Sequence, residues 1–96
     1  MSSPSVAPSA FFVPDGVLAE VIDGETVLLH LDSGRYFGLN RTGTRIWQLL
    51  TERTDESAAG AIIATEFAID EQTARRDISS LVKELTERGL LARRSA

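Results

Sequence analysis

His30 is the single histidine of this chain, and there is no cysteine. The lack of cysteine removes thiolate nucleophiles, disulfides and Cys-based zinc or iron-sulfur sites. His30 lies in the run Leu28-Leu29-His30-Leu31-Asp32, which has strand character and marks out no partner for proton transfer, so a structural or solvent-facing role suits it. The carboxylates Glu52, Asp55, Glu56, Glu66, Glu71, Asp77, Glu84 and Glu87 are scattered along helix-like stretches, where solvation, capping and pairing account for them. Glu84 and Arg88, for instance, have the order and spacing of a helical ion pair. Gly34, Gly38 and Gly43 form no glycine-rich run leading to a lysine, and Lys83, the lone lysine, falls in mid-helix, so no phosphate cradle is spelled out. The inventory points away from an enzyme and implies no catalytic residue, no metal and no cofactor.

Binding chemistry is better represented. Tyr36 and Phe37 are adjacent in a strand-like segment, and neighbours in a strand point to opposite faces, so both cannot enter one core. An edge strand carrying a spare aromatic is either an aggregation hazard or a docking edge. Trp47, beside Ile46 and near Leu50, fits a core position better than a binding site.

The elements around these residues follow from pattern. Segments 17–22, 25–31 and 35–39 are predicted strands, separated by Asp23-Gly24 and by Asp32-Ser33-Gly34, residues that suit tight hairpin loops. They should form an antiparallel meander with the third strand at an edge. Asn40 caps a first helix through about Glu52, with Ile46, Trp47, Leu49 and Leu50 at helical spacing. Asp55 caps a second, carrying Ala58, Ala59, Ile62, Ile63 and Phe67, and Asp70 opens a third, carrying Ala74, Ile78, Leu81, Val82 and Leu85 on one face and stopped by Gly89. The fold class is therefore α+β, a three-stranded antiparallel sheet followed by a three-helix, winged-helix-like bundle.

With 96 residues there is room for one modest core. Residues 15–92 are expected to form the domain, 1–14, with Pro4, Pro8 and Pro14, a flexible N-terminal arm, and 93–96 a frayed tail. No basic n-region with an apolar h-region opens the chain, and no apolar run is long enough to span a membrane, which predicts a cytoplasmic protein without membrane contact. A formal charge of -4 weighs against binding nucleic acid.

The runs LHLDSGRYFGLNRTGTRIWQLL and EFAIDEQTARRDISSLVKELTERGLL resemble the PqqD-like family, the recognition domains of ribosomally made and post-translationally modified peptides. The resemblance spans residues 17–91 and rests on Ser33 to Phe37, Leu39-Asn40, Thr42-Gly43, Ile46-Trp47 and Glu87 to Leu91 in order. It implies that the leader region of a precursor peptide adds as a strand beside the third strand and rests against the third helix. Carried onto this chain, the peptide-binding residues are Arg35, Tyr36, Phe37, Gly38 and Leu39 on the strand and Arg75, Ile78, Ser79 and Val82 on the helix, and a proline at Phe37 should remove a ladder donor. The SGRYFGLN strand is most similar to the free-standing lasso-peptide branch. That branch implies two partners besides the leader, a separate leader peptidase of the transglutaminase-like cysteine-protease type and an asparagine-synthetase-like cyclase. Two other readings remain: a winged-helix DNA-binding regulator using Arg75, Arg76 and Lys83, against which Glu71, Asp77, Glu84 and Glu87 stand on the same helix, and a scaffold that joins enzymes without touching substrate.

Overall fold

The computed structural model describes residues 10–52 and 55–94. Three strands, β2 (Val17–Ile22), β3 (Glu25–His30) and β4 (Arg35–Leu39), form an antiparallel sheet in that order. Before them lies β1 (Phe11–Phe12), and after them come α1 (Arg41–Thr51), α2 (Glu56–Phe67), α3 (Glu71–Glu87) and β5 (Ala92–Arg93). The α+β class, the meander order and the edge position of β4 agree with the sequence expectation.

Local chemistry explains the breaks. The β2–β3 turn needs two consecutive positive φ angles, and Asp23 at 53° and Gly24 at 80° supply them. Each helix begins at a side-chain cap: Asn40 accepts from the Gly43 N–H, Asp55 from Ala58, and Asp70 from Gln72 and Thr73. Between α2 and α3, Ala68 turns the chain through the left-handed region.

Alternation along β3 turns Thr26 and Leu28 into the core while Glu25 and Val27 face solvent. Leu28 packs with Leu39, Ile46, Leu50, Ile63 and Leu85 in one apolar cluster, and Trp47, 6% exposed, belongs to it as expected. Thr26 and Thr44, both buried, satisfy each other through a 2.8 Å hydroxyl pair that ties β3 to α1. The opposite face carries a row across all three strands, Leu18, Leu29 and Tyr36, whose members are each other's register partners.

Both chain ends depart from expectation within their described parts. Residues 10–14 are not a free arm: Phe11 is 1% exposed, in the core, and Phe12 pairs with Ala92. Arg93 is the register partner of Phe11 and stacks its guanidinium over that ring at 4.7 Å, while the Arg94 N–H donates to the Ala10 carbonyl. Burying a phenylalanine is worth about 1.5–3 kcal/mol, enough to offset the ordering of a residue or two of backbone. The signal in the sequence is the adjacent Phe11-Phe12 pair inside an otherwise Pro- and Ser-rich stretch. Residues 1–9 of the expected arm and 95–96 of the expected tail lie outside the described residues.

Candidate functional site

The register of the sheet decides which backbone groups of β4 are open. The Leu31 N–H donates to the Gly16 carbonyl, one step beyond the Val17–His30 pair, and hydrogen-bonded pairs alternate along an antiparallel ladder. Glu25, Val27 and Leu29 therefore bond toward β2, which leaves Thr26, Leu28 and His30 to bond toward β4. Their register partners are Leu39, Phe37 and Arg35. Tyr36 and Gly38 consequently aim their N–H and C=O groups out of the sheet edge. The ladder donor is thus not Phe37, as the sequence suggested, because its N–H is spent on β3.

Side chains follow the complementary alternation. Tyr36, 72% exposed, shares the outer face with Gly38, while Arg35, Phe37 and Leu39 face the helices. Phe37 is half-buried and Leu39 is in the core. At Gly38 an added Cβ would meet nothing within 4 Å, so the outer face of the sheet is open there.

α3 passes β4 in the opposite sense: one cleft of about 300 Å³ lies between its C-terminal end and the β3–β4 hairpin, and a second of about 300 Å³ lies between its middle and the start of α1, just past the end of β4. At the start of β4 one cleft is lined by His30, Ser33, Arg35, Tyr36, Phe37, Glu87, Arg88 and Leu90. At its end the other is lined by Asn40, Thr42, Gly43, Ile46, Asp77, Ser80, Leu81 and Glu84. From Asp77 to Arg88 the helix rises roughly 16 Å, so the α3 flank that lines the two clefts is about as long as a five-residue strand, ~14–17 Å. Arg88 joins the two sides: its guanidinium sits over the Phe37 ring at 5.0 Å and pairs with Glu84 at 3.2 Å.

Of the helix residues expected from sequence, Arg75, Ile78, Ser79 and Val82, none lines either of these clefts. Ile78 and Val82 are 1% and 3% exposed and serve the core. Arg75 faces α2, where it bonds Glu71 at 2.7 Å and reaches Ser57 at 3.4 Å. There it packs so closely that a Cβ on Gly60 would come within 2.8 Å of its Cγ. Ser79 is exposed, about 140–180° around the helix from Asp77, Glu84 and Arg88 at roughly 100° per residue. The structure therefore brings Arg35, Tyr36 and Phe37 together with Glu87 and Arg88, places Asp77, Ser80, Leu81 and Glu84 against the start of α1 just past β4, and sets Arg75 and Ser79 apart from both. The i, i+4, i+7, i+11 spacing of Asp77, Leu81, Glu84 and Arg88 is the signal in the sequence that finds this flank.

His30 has a structural task. Its Nδ1 lies 3.1 Å from the Ser33 Oγ and accepts from the Ser33 N–H at 3.3 Å, locking the β3–β4 hairpin at the mouth of the first cleft. Away from the groove, the hydrogen bond from Arg45 (2.9 Å) holds the Glu66 carboxyl below its ordinary value and raises Arg45 in turn. Among the described residues, no three His, Asp or Glu side chains are placed to hold a metal ion, and no helix is long and apolar enough to cross a membrane.

A free sheet edge flanked by a helix, with apolar and charged clefts between, defines a class of small α+β domain suited to hold an extended chain. The protein belongs to the PqqD family: the family profile described as "Coenzyme PQQ synthesis protein D (PqqD)" matches residues 25–91. Two solved structures are similar over nearly their full length. One, "TbiB1 in Complex with the TbiA(beta) Leader Peptide", is 36% identical, with 88% of this chain and 99% of that chain covered and a TM-score of 0.78. The other, "Lasso peptide synthetase B1 complexed with the leader peptide", is 29% identical, with 86% and 98% covered and a TM-score of 0.81. No curated protein matches the chain.

Proposed function

We propose that this protein is a leader-peptide recognition element of the lasso-peptide branch, binding the leader region of a ribosomally made precursor as a strand added to β4 and walled by α3. The observation that carries the reading is the outward ladder at Tyr36 and Gly38 running beside an α3 flank with two clefts. It is supported by the two similar structures, each of which holds a leader peptide. The protein supplies no chemistry of its own. It works in the cytoplasm and delivers the bound precursor to a separate leader peptidase of the transglutaminase-like cysteine-protease type and an asparagine-synthetase-like cyclase. In this reading the three helices are winged-helix-like in arrangement but use the flank of α3 for peptide rather than DNA.

The energetics require both walls. Two outward residues offer two donors and two acceptors, worth about 0.5–1.5 kcal/mol per bond made. Association costs about 4–15 kcal/mol, so micromolar binding at roughly -8 kcal/mol needs side chains filling the clefts as well. Leu81, Leu90 and the Phe37 face supply the apolar surface for that.

The test is titration of the full chain with fluorescently labelled TbiA(beta) leader peptide, with random duplex DNA in a parallel cell. Saturable peptide binding at micromolar or lower concentration is expected, and none to DNA. Absence of peptide binding by a folded sample overturns the proposal, and salt-sensitive DNA binding replaces it with the regulator reading.

A further inference from the structure

The two clefts differ in charge. Around the start of β4 stand Arg35 and Arg88 against Glu87, whereas around its end stand Asp77 and Glu84 with no cationic side chain among the lining residues. Glu84 and Arg88 answer each other across 3.2 Å. Arg35 and Asp77 are exposed, and neither side chain has an ion-pair partner among the described residues. The capped N-terminus of α1 and the C-terminus of α3 oppose this polarity, but each amounts to about half a charge at most and does not reverse either end.

Resting on the leader-binding reading, we propose that Arg35 and Asp77 select the charge pattern of the bound peptide: an acidic side chain beside Arg35 and a basic one beside Asp77, four positions apart. The spacing follows from the ladder. With Tyr36 and Gly38 supplying the edge bonds, peptide residues opposite Arg35, Phe37 and Leu39 point toward α3, as those residues do. The residue opposite Arg35 enters the first cleft, and the one opposite Leu39 lies at the Asn40 end, where the second cleft opens toward Asp77. Backbone bonding alone tolerates a slip of two residues along the edge, since faces repeat with period two. The opposed charges penalise that slip, so they fix register as well as partner.

The experiment is a positional scan of the TbiA(beta) leader peptide in which each residue in turn is replaced by Glu and by Lys. Binding is measured to the wild-type protein and to the Arg35→Glu and Asp77→Lys variants at low salt. One position should favour Glu over Lys by about tenfold, and a second, four residues away in either direction, should favour Lys by a similar factor, with salt weakening both. Arg35→Glu should invert the preference at the first position alone, and Asp77→Lys at the second alone. Circular dichroism on each variant shows that the fold persists. Peptide binding with no charge preference, or with preferences that neither variant moves, overturns this inference and leaves leader recognition standing. Failure of every peptide to bind overturns both.

Discussion

The two edges of the same sheet are a natural experiment. Strand β2 presents as long an open edge as β4, and its residues are exposed except Val17, which is half-buried. By the alternation that frees Tyr36 and Gly38 on β4, β2 frees Ala19 and Val21, while the outward Val17 N–H donates to the Pro14 carbonyl. What distinguishes β4 is α3 beside it. An edge without a wall offers only backbone bonds, whose net worth of about 1 kcal/mol each does not offset association, whereas an edge with a wall adds desolvated side-chain pockets. In the proposed reading the open strand supplies the backbone bonds and the neighbouring helix the side-chain pockets.

That contrast can be broken by proline placed at chosen ladder positions. The largest effect is expected for Phe37→Pro, which removes a donor inside the β3–β4 ladder: thermal unfolding should show the sheet lost or the midpoint lowered by several degrees. Next comes Gly38→Pro, which removes an outward donor rather than a bond of the β3–β4 ladder. It should leave the fold in place by circular dichroism and weaken leader binding at least tenfold, about 1.4 kcal/mol, in a fluorescence titration. Its counterpart Ala19→Pro on the β2 edge should leave binding within twofold, and equal losses at both edges would falsify the assignment of β4 as the docking strand.

A smaller effect separates the two flanks of α3. Leu81→Ala should cost about fivefold in leader affinity, roughly 1 kcal/mol, while Arg75→Ala, on the flank against α2, should change stability slightly and affinity not at all. The reverse result returns the wall to the Arg75 side. The smallest effect lies far from both edges. Glu66 is held below the ordinary carboxylate value of 4.5 by its hydrogen bond from Arg45, so this pair adds stability above that pH and loses it as pH falls through the lower folded-state value. Glu66→Gln should therefore flatten the acid side of the stability profile slightly, with leader affinity at neutral pH unaltered. A steeper acid loss in the variant would reverse the sign assigned to the pair.

The sequence by itself determined the element order, because each boundary is a local event: Asn40, Asp55 and Asp70 are caps whose side chains bond the next turn, and Asp23-Gly24 tolerates the φ values of a tight hairpin. It also determined that Tyr36 and Phe37 part company across the sheet, since alternation needs no knowledge of what lies beyond the strand. Tertiary structure alone decided three things. Which flank of α3 faces the end of β4 and the start of α1 depends on how the helices pack, which is why Ile78 and Val82 prove to be core and Asp77, Leu81 and Glu84 line a cleft. Which N–H groups on β4 are free depends on the β2–β3 register two strands away, so the edge donors are Tyr36 and Gly38 rather than Phe37. And Phe11 enters the core only because β5 returns beside it from the far end of the chain, a contact between residues 11 and 93 that no local pattern records.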